Sequence, residues 1–395
     1  MRWRRPEGLT DVDPGAGIEL ARLNGLEGLA RSMMVGVVPL SALEALGSKQ
    51  AVSAVFFGGA LITLALTLSS GWLEARLQRR WLVTSAMAAV FVAAALFTVA
   101  DGPLFAVAEG LRSAEASLFS VCVSLYIMDH IGSGELTGTE PLRLMYSGAA
   151  WLIGPSVGVT LYGRGHANAP FVISMCLSAM AVAYFWRLRL HRNPVLLTPT
   201  TTVTNPARNV VRFFSQPQLR TAYAITTTRA VFWAALFIYG PIYVVEAGLA
   251  TWLAGSFLSV ASAMLFTSPL VGRAARRFGT RQVILVALAW MSASMVALAS
   301  IGEPRPVGVV FWLTGAAGGA ALDVVGNIPF MRTVHHHERI AMTSVFSTWR
   351  EASFVVTPVL AGGALVLGSF WTLYLAIAVV LALGLVATTS LPARI

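Results

Sequence analysis

Charge is scarce in this chain. Only 12% of its 395 residues are Asp, Glu, Lys or Arg, against 56% hydrophobic, which excludes an ordinary water-soluble domain, where about a quarter are charged. Cysteine is nearly missing too. Cys122 and Cys176 both fall in apolar stretches, so no disulfide framework or zinc site is expected, and both are expected to pack as small buried side chains. There is no ATP-binding glycine loop, so work must be drawn from a gradient. No convergent catalytic set is present either, which argues against an enzyme. The one conspicuous histidine run, His335 to His337 before Glu338, points its imidazoles in different directions and is expected to be a solvated loop without metal. The residues up to about Asp13 are polar and Arg-rich, without the apolar core of a cleavable leader, so the first span is expected to direct insertion.

What is abundant is apolar sequence in runs of roughly 20 residues, the length that crosses a bilayer. Twelve such spans are predicted, at 19–43, 51–72, 81–100, 103–128, 142–163 and 170–188, then 219–245, 251–272, 281–301, 307–329, 340–366 and 370–391. The expected fold is an all-α integral membrane protein with two six-helix bundles, 1–188 and 219–395. A polar segment rich in Thr, Pro, Asn and Arg, 189–218, is expected to be a linker between them.

The net charge of +10 is almost all arginine, and its placement speaks of topology rather than of nucleic acid. With the N-terminus inside, the cytoplasmic segments hold Arg2, Arg4, Arg5, Arg76, Arg79, Arg80, Arg143 and the clusters 187–220 and 273–281, whereas the outer loops hold only Lys49, Arg164 and Arg305. The positive-inside rule then places both termini in the cytoplasm. No contiguous soluble face exists to bind nucleic acid.

The two halves repeat each other. Gly71, Arg76, Arg79 and Arg80 follow span two, and Gly272, Arg277, Gly279 and Arg281 follow span eight, with Gly71 and Gly272 offset by 201 residues. A second pair, Gly154-Pro155 with Gly158 against Thr357-Pro358, is offset by 203 at the prolines. Duplication of a six-helix unit permits alternating access. On these motifs the chain resembles the major facilitator superfamily, whose signature between helices two and three is a glycine, an acidic residue, an arginine, a glycine and a basic pair. The second copy is the better preserved. In the first, Glu74 stands one residue early and Gln78 replaces a glycine. The resemblance implies a transporter with a gate at this motif, where arginines pair with carboxylates or helix-end carbonyls.

Ionisable residues interrupt a minority of spans: Glu27 and Arg31 in span one, Glu109, Arg112 and Glu115 in four, Arg229 in seven, Asp323 in ten, and Arg350 with Glu351 in eleven. At roughly 2.5–3.5 kcal/mol each at a helix centre, nine of them facing lipid would cost on the order of 20–30 kcal/mol, so they must face protein or water. The family places helices one, four, seven and ten around the central cavity, which agrees. Spacing of three or four sets Glu27 beside Arg31 and lets Arg112 bridge Glu109 and Glu115. The stretch Leu111 to Ala116 is similar to the helix-four motif of proton-coupled exporters, with Glu115 where they have glutamine, and this resemblance implies proton coupling at Arg112. Gly148, Gly154, Pro155 and Gly158 resemble in part the glycine-proline motif of antiporters in the superfamily, and Gly154, Pro155 and Gly158 with Pro358 form the expected helix-bend motif. Asn327, Trp151, Trp233 and Tyr146 are further candidates to line the site, which suits an amphipathic or anionic organic solute.

The sequence thus predicts proton-coupled export of a small organic solute, with uptake or a transport-inactive receptor of the same fold as the alternatives. No cofactor beyond a proton gradient is expected. The expected setting is a bacterial inner membrane, with lipid and the solute as partners of a monomer.

Overall fold

The computed structural model describes residues 16–77, 79–99, 101–130, 136–188, 206–334 and 339–392. These residues form helices throughout. The first set is α1 (Ala16–Val35), α2 (Val37–Leu46), α3 (Lys49–Arg76), α4 (Arg79–Phe97), α5 (Pro103–His130), α6 (Leu136–Gly163) and α7 (Ala169–Arg187). After α8 (Pro206–Ser215) come α9 (Pro217–Glu246), α10 (Thr251–Ala263), α11 (Ser268–Phe278), α12 (Thr280–Ile301), α13 (Gly308–Val325), α14 (Ile328–Thr333), α15 (Arg339–Phe346), α16 (Trp349–Leu367) and α17 (Phe370–Thr389). Among the described residues ten stretches are long and apolar enough to cross a membrane. With α5 and α6, 28 residues each, the traversals number twelve.

Several predicted spans are broken rather than continuous. Span one divides at Gly36, where a side chain would meet Val159 and Leu258 at 2.7 and 2.9 Å. Span eight passes through a 3-10 turn, Met264–Thr267, before Pro269. Span ten stops at Val325 and restarts as α14 around Pro329, which has no N–H to continue the ladder. Span eleven breaks at Ser347 and Thr348, where the Thr348 N–H donates to the Val345 carbonyl at 3.2 Å and its hydroxyl meets the same carbonyl at 2.7 Å and the Tyr223 hydroxyl. Within 189–218, α8 spans Pro206–Ser215, its buried Phe213 packed beside Phe330 and Tyr223.

Side chains sort by solvent. Val172, Cys176 and Met180, each four residues apart on α7, are all exposed along one stripe. Cys176 therefore faces outward toward lipid rather than packing inside, while Cys122 is buried. By contrast α9 runs through the middle: between Thr228 and Val244 only Trp233 and Phe237 are less than fully buried.

The first and second sets of helices meet through α2 with α9, α3 with α16, and α6 with α10. Small residues permit the last seam. A side chain on Gly255 would strike the Pro155 carbonyl; within the first set, one on Gly158 would strike the Met33 carbonyl of α1. Toward the arginine-poor ends, Lys49 pairs with Glu246 at 2.7 Å, Gln50 donates to the Leu365 carbonyl at 3.1 Å, and Ser53 bonds Tyr239 at 2.7 Å. The seam extends down to Thr67, which donates to Glu351 at 3.5 Å. Beyond that level, toward the arginine-rich ends, the polar contacts among the described residues stay within one set, as in Tyr184 with Glu19 and Arg281 with Thr389.

Candidate functional site

Two clusters of charge lie inside the membrane-spanning region, one in each set of helices. The first rests on α1 and α5. Glu27 and Arg31, one helical turn apart, sit 3.4 Å from each other without hydrogen-bond geometry. Arg112 forks onto Glu109 through Nε and Nη2, both at 2.7 Å, and Ser113 adds a third donor at 3.1 Å. The expected Arg112 bridge to two carboxylates is thus not formed. Nε and Nη2 are both spent on Glu109, and Glu115, almost a full turn farther along the helix, lies instead beside Glu27 of α1. Glu115 is completely buried, and neither of its oxygens has a hydrogen-bond donor.

The second cluster sits where spans ten and eleven break. Asp323, in the last turn of α13, accepts from the Trp233 indole at 3.0 Å and pairs with Arg229 at 3.2 Å. Arg229 also donates to the Leu322 carbonyl at 3.0 Å and stands over the Trp349 ring at 4.8 Å. A carboxylate at a helix C-terminus opposes the helix dipole, so the buried Arg229 charge is what holds it there. Arg350 lies over the same indole at 5.3 Å and is itself exposed. Glu351, in the first turn of α16, keeps one oxygen buried without a donor. Asn327 starts α14 with its Oδ1 likewise unpaired.

Aromatic rings join the clusters. Trp233 stacks on Phe237 at 5.8 Å, Phe237 meets Trp151 edge-on at 5.3 Å across the seam, and Arg31 stands 5.7 Å from the Trp151 ring. A second connection runs from Glu351 through the Thr67 hydroxyl to Ser117, 2.6 Å away on α5. The arrangement presents a wall of aromatic faces with guanidinium and carboxylate groups at both ends. Such a surface holds an organic molecule by stacking and by paired charges.

Not every sequence candidate joins it. Tyr146 packs against Gly25 near the arginine-rich end of α1. Phe237 and Trp349 were missed, although Arg229, Trp233 and Phe237 recur every four residues, a single face of span seven. At the motif after span eight, Gly279 takes φ of +93°, which a side chain would resist, and ends α11. Gly272 meets no close neighbour. Arg281 donates to the Thr389 carbonyl at the end of α17, at 2.8 Å. Arg277 lies over Phe278. In the first copy, Arg80 stands over Trp81 at 5.9 Å, while the surroundings of Gly71, Arg76 and Arg79 lie outside the described residues. So does the His335–His337 run. Gly154 and Gly158 press α6 onto Ser32 and Met33 of α1, and Pro358 is buried within α16.

Residues 23–266 match the family model described as Major Facilitator Superfamily. Solved structures of the same architecture include the nucleoside transporter NupG, with a TM-score of 0.77 at 14% identity over 95% of this chain and 100% of that one. The peptide transporter POT in complex with sulfate scores 0.75 at 13% identity over 98% and 94%. A bacterial homologue of the iron transporter ferroportin scores 0.70 at 16% identity over 94% and 98%. No curated protein matches the sequence.

Proposed function

The chain belongs to the Major Facilitator Superfamily, and on that premise we propose that it is a secondary active transporter exporting a small organic solute in exchange for protons. The observation that carries the proton is the Glu27–Glu115 pair. Arg31 supplies one positive charge to two carboxyl groups, while Arg112 is committed to Glu109. Fully ionised, the pair and Arg31 leave one net negative charge in a dry seam. One proton held between the two carboxyls removes that charge and gives Glu115 the hydrogen bond it lacks. Like charges this close do not both ionise cheaply away from water, so proton occupancy and closure around the pair are coupled.

The solute binds along Trp151, Phe237 and Trp233, with Arg31 and Arg229 taking an anionic group and Asp323 and Glu351 a cationic one. Residues 1–188 and 219–395 rock as two bodies around this level, joined by 189–218. The helix-four arginine and the glycine-proline packing of α6 on α1 support the export direction. In this reading the arginine-rich side and both termini face the cytoplasm of a bacterial inner membrane, and the protein works as a monomer without a cofactor.

The test is transport in proteoliposomes of solutes nominated by metabolite profiling of cells with and without the protein, with and without a pH gradient. Wild type is expected to move solute against the proton gradient. Glu115→Gln is expected to keep counterflow and lose stimulation by the gradient, since a neutral amide mimics the protonated carboxyl. Equal stimulation in Glu115→Gln would overturn the role of the pair, and solute binding without counterflow would identify a receptor.

A further inference from the structure

A groove of about 530 Å³ lies away from the charged clusters, between α11, α12 and α13. Its walls are Val283, Val286 and Trp290 of α12, Ala317 and Ala321 of α13, and Phe278 at the end of α11. It exists because α13 presents small residues here and cannot fill the space beside α12. The lining is almost wholly apolar and outward-facing: Val286 is 68% exposed and Trp290 55%. Trp290 closes the deep end by donating its indole N–H to the Thr314 carbonyl at 2.9 Å.

The other end opens at Gln282 and Phe278, on the arginine-rich side. There Arg273, Arg276 and Arg277 stand exposed on the last turns of α11, with Arg277 over the Phe278 ring at 5.2 Å. Among the described residues no carboxylate pairs with any of the three. From Gln282 to Trp290 the helix rises about 12 Å, most of one leaflet's hydrocarbon depth of about 15 Å. An apolar trough spanning most of a leaflet, with the Arg277 guanidinium beside its headgroup end and Arg273 and Arg276 on the same exposed helix end, has the shape and charge to take an anionic diacyl lipid.

We propose that this groove is a binding site for an anionic phospholipid of the arginine-rich leaflet, with an acyl chain between α12 and α13 and the phosphate on Arg277, beside Phe278. This gives Arg277 of the second motif copy a ligand of its own, separate from the transport site.

Native mass spectrometry of the full chain, delipidated and titrated with dioleoyl phosphatidylglycerol or dioleoyl phosphatidylcholine, tests it. The expected result is one phosphatidylglycerol retained in strong preference to phosphatidylcholine. Arg277→Gln is expected to weaken phosphatidylglycerol about fivefold. Ala317→Phe fills the trough from an exposed position, leaves the arginines in place, and is expected to abolish the retained lipid. Each variant is first checked for a monodisperse size-exclusion profile, and Ala321→Leu substitutes for Ala317→Phe if that one fails. Equal retention of the two lipids, or undiminished retention after the trough is filled, would overturn the proposal.

Discussion

Arg112 and Glu115 are three residues apart on one helix, yet the structure gives them different work. Glu109 is 1% exposed and takes a bidentate fork from Arg112, so the arginine neutralises a buried charge. Breaking a buried pair from one side costs about 3–5 kcal/mol, because the partner is left uncompensated. Arg112→Ala is therefore expected to lower thermal stability in detergent markedly, read by fluorescence size-exclusion after heating. Adding Glu109→Gln to Arg112→Ala is expected to restore most of that loss. If transport returns with stability in the double variant, Arg112 acts by holding Glu109; if stability returns and transport does not, the arginine also takes part in coupling. Arg229 follows the same logic at the other cluster, where removing it strands Asp323 at the end of α13.

At the scale of helices, the seam between α1 and α6 turns on where glycine is needed. Gly158 lies directly against the Met33 carbonyl, whereas nothing lies within 4 Å of a side chain placed at Gly148. Gly158→Ala is expected to cost on the order of 1–3 kcal/mol through overpacking, and Gly148→Ala to be near neutral, both measured as shifts in thermal stability. The sequence allowed these glycines to be picked out as a motif but not ranked, because ranking depends on a neighbour more than a hundred residues away. The same limit governs the site. Hydropathy read out the spans and their order, and local spacing set Glu27 beside Arg31, 3.4 Å apart, because both sit on one helical face. It misplaced Glu115, whose partner lies on another helix. The breaks at 326–327 and 347–348, which set Asp323 and Glu351 at helix ends, were also hidden. They lie beside Pro329 and at Thr348, whose hydroxyl bonds Tyr223, features that an apolar average conceals.

For the molecule as a whole, the first turns of α3 hold the two sets of helices together at the arginine-poor side. Lys49 meets both Glu246 and the Phe370 ring, at 2.7 and 4.1 Å, with Gln50 and Ser53 bonded just below. Alternating access requires these links to part while the Thr67–Glu351 level stays joined or closes further. The Lys49–Glu246 pair is partly exposed, so its loss is worth about 1 kcal/mol, or about fivefold in the population open to that side. Ser256 offers a reporter, since it faces Ser156 across the α6–α10 seam at 3.5 Å. In a Cys122→Ser, Cys176→Ser background carrying Ser256→Cys, a membrane-impermeant maleimide added from the arginine-poor side is expected to react slowly. Lys49→Gln is expected to raise that rate severalfold, Glu246→Gln to raise it equally, and the two together to add little more, because they break one link. Unchanged labelling in both single variants would mean that the pair does not hold the gate and that the Ser53–Tyr239 bond and the packed α6–α10 seam do.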